Sequence, residues 1–387
     1  MSEPSRALYV HIPFCRAKCT YCDFNSYRGL THLLGPYCVA LAAESRWLAS
    51  QCCRPLASVY VGGGTPTILP DPLMRHMFDA LCAAFGAMDA AEITVEANPG
   101  TVSRDSFRAL RNLGVNRLSL GVQSLDAIEL AMLGRIHNAD EAAAAVRLAR
   151  AAGFGNLSLD LIFGLPGQQL ASWRTTLERA LSLTPQHLSL YALTLDEGTP
   201  LQARVKCGEL PVPDPDLAAD MYDLADDLLA QAGFRQYEIS SWSVPGFECC
   251  HNLVYWRNLP YLGLGAGAHS WDARRRWWNV RSVEAYIERL GIAHPGEWPS
   301  PAAEGGECLE RVHQMGETMM LGLRLTREGV TEETFRQRFG VSLGDVYGVA
   351  LHELVDLGLL TWQTGRACLT RRGRLLGNQV FVRFLPD

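Results

Sequence analysis

HIPFCRAKCTYCDF, residues 11–24, carries Cys15, Cys19 and Cys22 directly behind the apolar run LYVHI, and Phe24 stands where a fourth thiolate would be expected. Thiolates select soft or borderline metals, chiefly zinc and iron–sulfur clusters. A structural zinc takes four protein ligands, commonly as two separated hooks, and here there is one hook of three. A [4Fe–4S] cube held by three cysteines leaves one iron open to a non-protein ligand, which turns the missing thiolate into a working feature. The loop is therefore read as a cluster-binding loop, and the strand in front of it as the first of a series.

That series is an alternation of β-rich apolar runs with helical patterns. LYVHI precedes a helix over 31–50, SVYV one over 71–85, EITVEAN one over 103–113, and NRLSLGV one over 138–152. LSLDLIFG leads into 170–183, HLSLYALT into 215–232, and RQYEIS closes the set. Near-continuous apolar strands interleaved with helices predict a parallel sheet covered by helices, here with six or seven units over residues 1–240. Asn138 with Glu141 reads as a capping box, and Gly153 as the stop of the same helix. Polar or glycine-rich residues follow the strands: GGGTP, Glu96 with Asn98, Gln123, and Asp160. In a β/α barrel the carboxyl ends of the strands form the active face, so these residues are expected on one rim.

Beyond the barrel the texture changes. Residues 241–300 are rich in Gly, Pro and Trp, and HPGEWPSPAAEGGE reads as a linker. Residues 301–387 read as a small α+β domain, with helices over 308–323, 331–339 and 345–358 and two short strands around Thr364 and Gly365, similar to a winged helix. No recognition helix dense in Lys and Arg accompanies it, and a net charge of −6 gives no basic footprint, so no nucleic-acid partner is expected. Neither a signal-peptide core in MSEPSRALYV nor an apolar stretch of membrane-spanning length is present, so a cytoplasmic protein is expected. Twelve cysteines in 387 residues are too dilute for a disulfide scaffold, and the nine outside the loop are read as small buried hydrophobes.

C-x3-C-x2-C behind a first strand is similar to the motif of the radical S-adenosylmethionine enzymes. VGGGTPT (61–67) resembles that family's methionine-binding turn. The likeness runs through YVHIPFC, VEANP, LSLGVQS, GRIHN, DLIFGLPGQ and the C-terminal segment, and points to the oxygen-independent coproporphyrinogen oxidase subgroup. It implies an α/β fold, a partial (β/α)6–7 TIM-type barrel of the radical S-adenosylmethionine type with a smaller winged-helix-like domain. It implies a [4Fe–4S] cluster on Cys15, Cys19 and Cys22. It implies S-adenosylmethionine beside Tyr9, Gly63, Gly64, Thr65, Glu96, Gln123, Arg135 and Asp160, with Arg135 suited to pairing a carboxylate.

Two branches of the subgroup divide the function. The coproporphyrinogen dehydrogenases carry C-x3-C-x2-C-x-C and an extension ahead of the tyrosine, whereas here Phe24 replaces the last cysteine and eight residues precede Tyr9. The haem chaperones end the loop in phenylalanine and carry H-N-x-x-Y-W, which HNLVYW matches with His251, Asn252, Tyr255 and Trp256. Imidazole is a natural axial ligand for haem iron, and aromatic rings stack on a porphyrin. Five tryptophans, Trp242, Trp256, Trp271, Trp277 and Trp278, crowd the same region. The resemblance thus implies a chaperone that binds haem and passes it to acceptor haemoproteins, membrane-associated ones included, and that forms a homodimer. The alternatives are a coproporphyrinogen dehydrogenase or another porphyrin-modifying radical enzyme.

Overall fold

The computed structural model describes residues 6–50, 56–292, 294 and 296–386. Six parallel strands, β1 (Arg6–Ile12), β2 (Leu56–Gly63), β3 (Glu92–Ala97), β4 (Arg117–Gln123), β5 (Asn156–Phe163) and β6 (His187–Ala192), stand side by side in chain order. Helices Leu34–Ala49, Asp71–Phe85, Arg104–Asn112, Ala139–Ala151, Leu170–Ser182 and Pro215–Gln231 cover them. Their apolar stripes close one core with the strands, and Trp173, Phe107 and Phe154 are fully buried in it. Asn138 and Glu141 form the expected reciprocal cap. The partial β/α barrel expected from the alternation is present.

The seventh apolar run departs from it. β7 (Arg235–Glu238) and β8 (Ser241–Ser243) make a tight hairpin, and β8 pairs antiparallel with β6. A two-residue connection leaves no room for the crossover helix that a parallel strand needs.

On the other edge, β9 (Tyr261–Leu264) pairs parallel with β1, and β10 (His269–Trp271), β11 (Arg275–Asn279) and β12 (Ala303–Cys308) extend the sheet antiparallel. β12 lies inside the stretch read as a linker, and its glycines explain the misreading. A Cβ on Gly305 would come within 2.9 Å of the Trp278 indole, and one on Gly306 within 2.6 Å of Trp298. These glycines make room for aromatic rings.

Helix α9 (Arg311–Gly322), strand β13 (Val330–Thr331), helices α10 (Glu332–Phe339) and α11 (Leu343–Asp356), and strands β14 (Leu360–Gln363) and β15 (Arg366–Leu369) follow in the order of a winged helix. Met319, Phe335, Leu351, Leu360 and Phe384 belong to a second core. Its tie to the barrel includes Ile239 N–H donating to the Arg324 carbonyl and Arg371 bridging Asp223 and Asp227.

Candidate functional site

β1 delivers the chain into the cysteine loop, and the glycine turn after β2 packs against it. Gly64 N–H donates to the Ile12 carbonyl and Thr65 N–H to that of Phe14. A Cβ on Gly64 would sit 2.6 Å from the Phe14 oxygen and 2.9 Å from Cys15 Sγ, so only glycine lets the two loops meet. Gly63, at φ +113°, donates its N–H to Glu96 Oε2 at 3.1 Å. The amides of Gly63, Gly64 and Thr65, expected to face a ligand, are thus all engaged within the protein.

Each cysteine sulfur has its own polar neighbour. Thr65 Oγ1 donates to Cys15 Sγ at 3.7 Å, Arg135 Nη1 to Cys19 Sγ at 3.1 Å, and Ser26 Oγ lies 3.7 Å from Cys22 Sγ. Burial raises the Cys15 pKa, hydrogen bonds from Thr65 and Ser26 oppose the rise, and the charges of Cys22 and Cys19 add to it. Among the described residues no three His, Cys, Asp or Glu side chains are arranged to hold one metal ion. A cube does not need one shared metal ion, because each thiolate binds a different iron at a different corner. The donor set of three soft sulfurs, each with a hydrogen-bonding neighbour, fits a [4Fe–4S] group.

Arg135 stands between the cysteine loop and β4. Its guanidinium reaches Cys19 and the Gly121 carbonyl, at 2.6 Å, while its Nε is buried without a partner. That unsatisfied donor beside the cluster loop is where an anionic group would be accommodated. Gln123 follows a bulge in β4 and takes φ +69°, uncommon for a non-glycine residue and a way of re-aiming a side chain near a site. Asp160 is held inside the barrel by Ser119 at 3.0 Å and Ser158 at 3.3 Å.

Tyr9, Tyr60, Glu96, Arg117, His251 and Tyr255 are among the residues around a lumenal cavity of about 190 Å³. Tyr9 Oη lies 2.9 Å from His11 Nδ1, and His11 Nε2 lies 2.8 Å from the Asn25 carbonyl, linking cavity to cysteine loop. Tyr60 donates to Glu96 at 2.9 Å. Burial, then the charge of Asp160, lifts the Glu96 pKa from 4.5 to about 7. A carboxyl with a higher pKa folded than unfolded favours the fold while protonated, and this contribution disappears as pH rises through about 7. The ligand-free protein is therefore expected to lose about 2–3 kcal/mol from this group between pH 5 and pH 8. Glu96→Gln should flatten that decline in thermal melts across this range, and an equally steep decline in the variant would refute the assignment.

His251 is the second residue of the helix Cys250–Trp256, whose N-terminus is capped by Glu92 accepting from the N–H groups of Cys250 and His251. The imidazole is 1 % exposed, with Nδ1 3.0 Å from Ser58 Oγ and Nε2 3.0 Å from Tyr255 Oη. Burial, reinforced by Arg117, depresses its pKa to about 3. Both nitrogens of the expected haem ligand are thus occupied inside the barrel. Asn252 lines the same cavity, while Trp256 lies under the Arg324 guanidinium at 4.4 Å. Trp242, Trp271 and Trp277 are core residues, which leaves Trp256 and Trp278 of the aromatic window with partial exposure. The remaining cysteines also divide: Cys38 and Cys249 are buried as expected, Cys368 is half-buried, Cys82, Cys207, Cys250 and Cys308 are exposed, and Cys52 and Cys53 lie outside the described residues.

A three-cysteine loop at the rim of a partial parallel barrel defines a radical S-adenosylmethionine protein. Residues 9–180 match the radical SAM superfamily and residues 309–376 the HemN C-terminal domain. The structure of coproporphyrinogen III oxidase (HemN) from Escherichia coli, described as a radical SAM enzyme, superposes with a TM-score of 0.85 at 26% identity, covering 99% of this chain and 90% of that one. The heme chaperone HemW of Bacillus subtilis is 37% identical over 99% of this chain and 100% of its own length. That of Escherichia coli is 41% identical over 99% of each. The chain belongs to the HemW family of haem chaperones.

Proposed function

We propose that this protein is a haem chaperone: it binds haem, a [4Fe–4S] cluster and S-adenosylmethionine, and passes haem to acceptor haemoproteins. The observation that carries the reading is full-length likeness to proteins named as haem chaperones, together with Phe24, 63% exposed, in place of a fourth cysteine. Cys15, Cys19 and Cys22 hold three corners of the cluster. Tyr9, Gly63, Gly64, Thr65, Glu96, Gln123, Arg135 and Asp160 surround S-adenosylmethionine, with the Gly63 and Gly64 turn shaping the wall and the Arg135 Nε meeting its carboxylate. When bound, the cluster supplies an open iron able to chelate that molecule and to donate an electron.

His251, Asn252, Tyr255 and Trp256 form the segment assigned to haem. As folded, this segment lines the lumen, and ligation by His251 would require its hydrogen bonds to Ser58 and Tyr255 to part. Among the described residues no helix is long and apolar enough to cross a membrane, in keeping with a cytoplasmic carrier. Homodimerisation and delivery to membrane-associated acceptors belong to the same reading by family likeness.

Haem titrated into anaerobically reconstituted protein is expected to give saturable binding and transfer to an apo-haemoprotein, followed by absorbance. Coproporphyrinogen III supplied in parallel is expected to remain unconverted. Its turnover to protoporphyrinogen IX would replace the chaperone with the oxidase whose fold the chain shares.

A further inference from the structure

The lumenal face of the barrel does not end at β1. In β1 it carries Tyr9, which lines the central cavity, and by strand alternation also Ala7, the register partner of Tyr261 in β9. Tyr261 pairs with Trp271, Trp271 with Arg276, and Arg276 with Glu307, so this row crosses four strands beyond β1 on the lumenal side. One step along each strand pair on the same face lies a second row, His269, Trp278 and Gly305. The reverse face, with Ser270 and Trp277, is buried.

The two lumenal rows have different fates. Trp271 is 1 % exposed, lies 5.3 Å from the Arg276 guanidinium, and is roofed where Arg276 pairs with Glu317 of α9 at 2.7 Å. His269 and Trp278 have no such roof. Their rings lie 5.8 Å apart at 31°, and the indole rests over Gly305, where a side chain would collide with it. His269 is exposed, and its two ring nitrogens form no hydrogen bond with the described residues. Arg281, exposed and free of ion pairs among those residues, follows two positions after the end of β11; burial, then the charges of Arg276 and Arg281, hold the imidazole pKa below its usual value.

This open row lies towards the cysteine loop. β9 runs with β1 towards that loop and β10 returns, so His269, the first residue of β10, is the nearer end. Asn25 of the loop donates to the carbonyls of Ala266 and Arg281, at 3.0 and 3.1 Å, and Tyr27 donates to that of Arg281 at 3.3 Å.

An unbonded imidazole, a flat indole with no side chain beneath it and an unpaired guanidinium make one chemical combination. It suits a planar aromatic ligand with a metal to coordinate and a carboxylate at its edge. We propose that the iron porphyrin docks on this face, with His269 as its axial ligand, Trp278 packed edge-on against the macrocycle and Arg281 paired with a propionate. The assignment rests on the haem-chaperone reading and gives the ligand role to an exposed histidine while His251 stays buried.

The test is titration of haem, and in parallel of iron-free protoporphyrin IX, into the full-length, cluster-reconstituted protein. His269→Ala is expected to weaken haem binding at least about tenfold and to change the Soret band. Added imidazole should restore the band, and protoporphyrin IX binding should be unchanged. Trp278→Ala should weaken both ligands, and Arg281→Ala should do so without altering the haem spectrum, which keeps the proposal testable should one variant misfold. An unchanged spectrum and affinity in His269→Ala would overturn the assignment, as would loss of the imidazole signature in His251→Ala alone. Failure of the unaltered protein to bind haem would instead overturn the chaperone reading, and this inference with it.

Discussion

Cys19→Ser protein, purified and reconstituted without oxygen, is expected to retain no stable cluster: iron and sulfide should fall to background and the charge-transfer absorbance should vanish. Three thiolates are the whole protein contribution to the cube, so each removed sulfur leaves two anchors for four irons. Serine offers a hard, weakly acidic hydroxyl where a soft thiolate is needed. Cys19 has a further role, because its sulfur takes the 3.1 Å hydrogen bond from Arg135, the one cationic donor to the three sulfurs among the described residues. With it gone, Arg135 keeps only the Gly121 carbonyl, and S-adenosylmethionine binding should fail along with the cluster. The melting temperature should change little, since Cys19 is half-buried in a loop and belongs to neither core. Stoichiometric iron and sulfide in this variant would end the three-corner account.

How legible this was depended on the kind of residue. The six parallel strands were readable because strands buried on both faces are nearly continuous apolar runs, and the helices between them carry a stripe and punctuated ends. The cysteine loop was readable because ligand spacing is local. The antiparallel extension was not: its strands are short, three to six residues, and mix Trp, Arg and Gly without a clean period. Gly305 and Gly306 look like linker residues until the indoles over them are seen. HNLVYW was recognisable as a motif, but the Ser58 hydroxyl that ties up its histidine comes from a strand 193 positions away in sequence. Glu44 went unnoticed altogether. It sits three residues after Leu41 and four before Leu48, on the buried stripe of its helix, and that placement was the available signal.

Glu44→Ala is accordingly expected to destabilise the protein by about 3–5 kcal/mol, because buried donors left without an acceptor cost about 1–3 kcal/mol each and several are left at once. Its carboxylate is fully buried on the helix Leu34–Ala49 and accepts four hydrogen bonds. They come from Gly265 N–H at 2.9 Å, Asn279 Nδ2 at 2.7 Å, Tyr286 Oη at 2.6 Å and Ser300 Oγ at 2.5 Å. Those donors lie in the turn after β9, in β11, in the helix Val283–Gly291 and in the segment before β12, so one side chain fastens the whole extension to the barrel. Burial raises its pKa, and the four donors oppose that rise without cancelling it. Alanine leaves all four donors unsatisfied in a dry interior, whereas Glu44→Gln keeps one acceptor oxygen and should cost less than half as much. Because the unsatisfied donors are concentrated in the extension, hydrogen exchange should accelerate first there, at Gly265 and in β11, ahead of β2 to β5. Uniform acceleration across the barrel, or a loss below about 1 kcal/mol in chemical denaturation, would show that the extension is held by its aromatic packing and that the carboxylate is incidental.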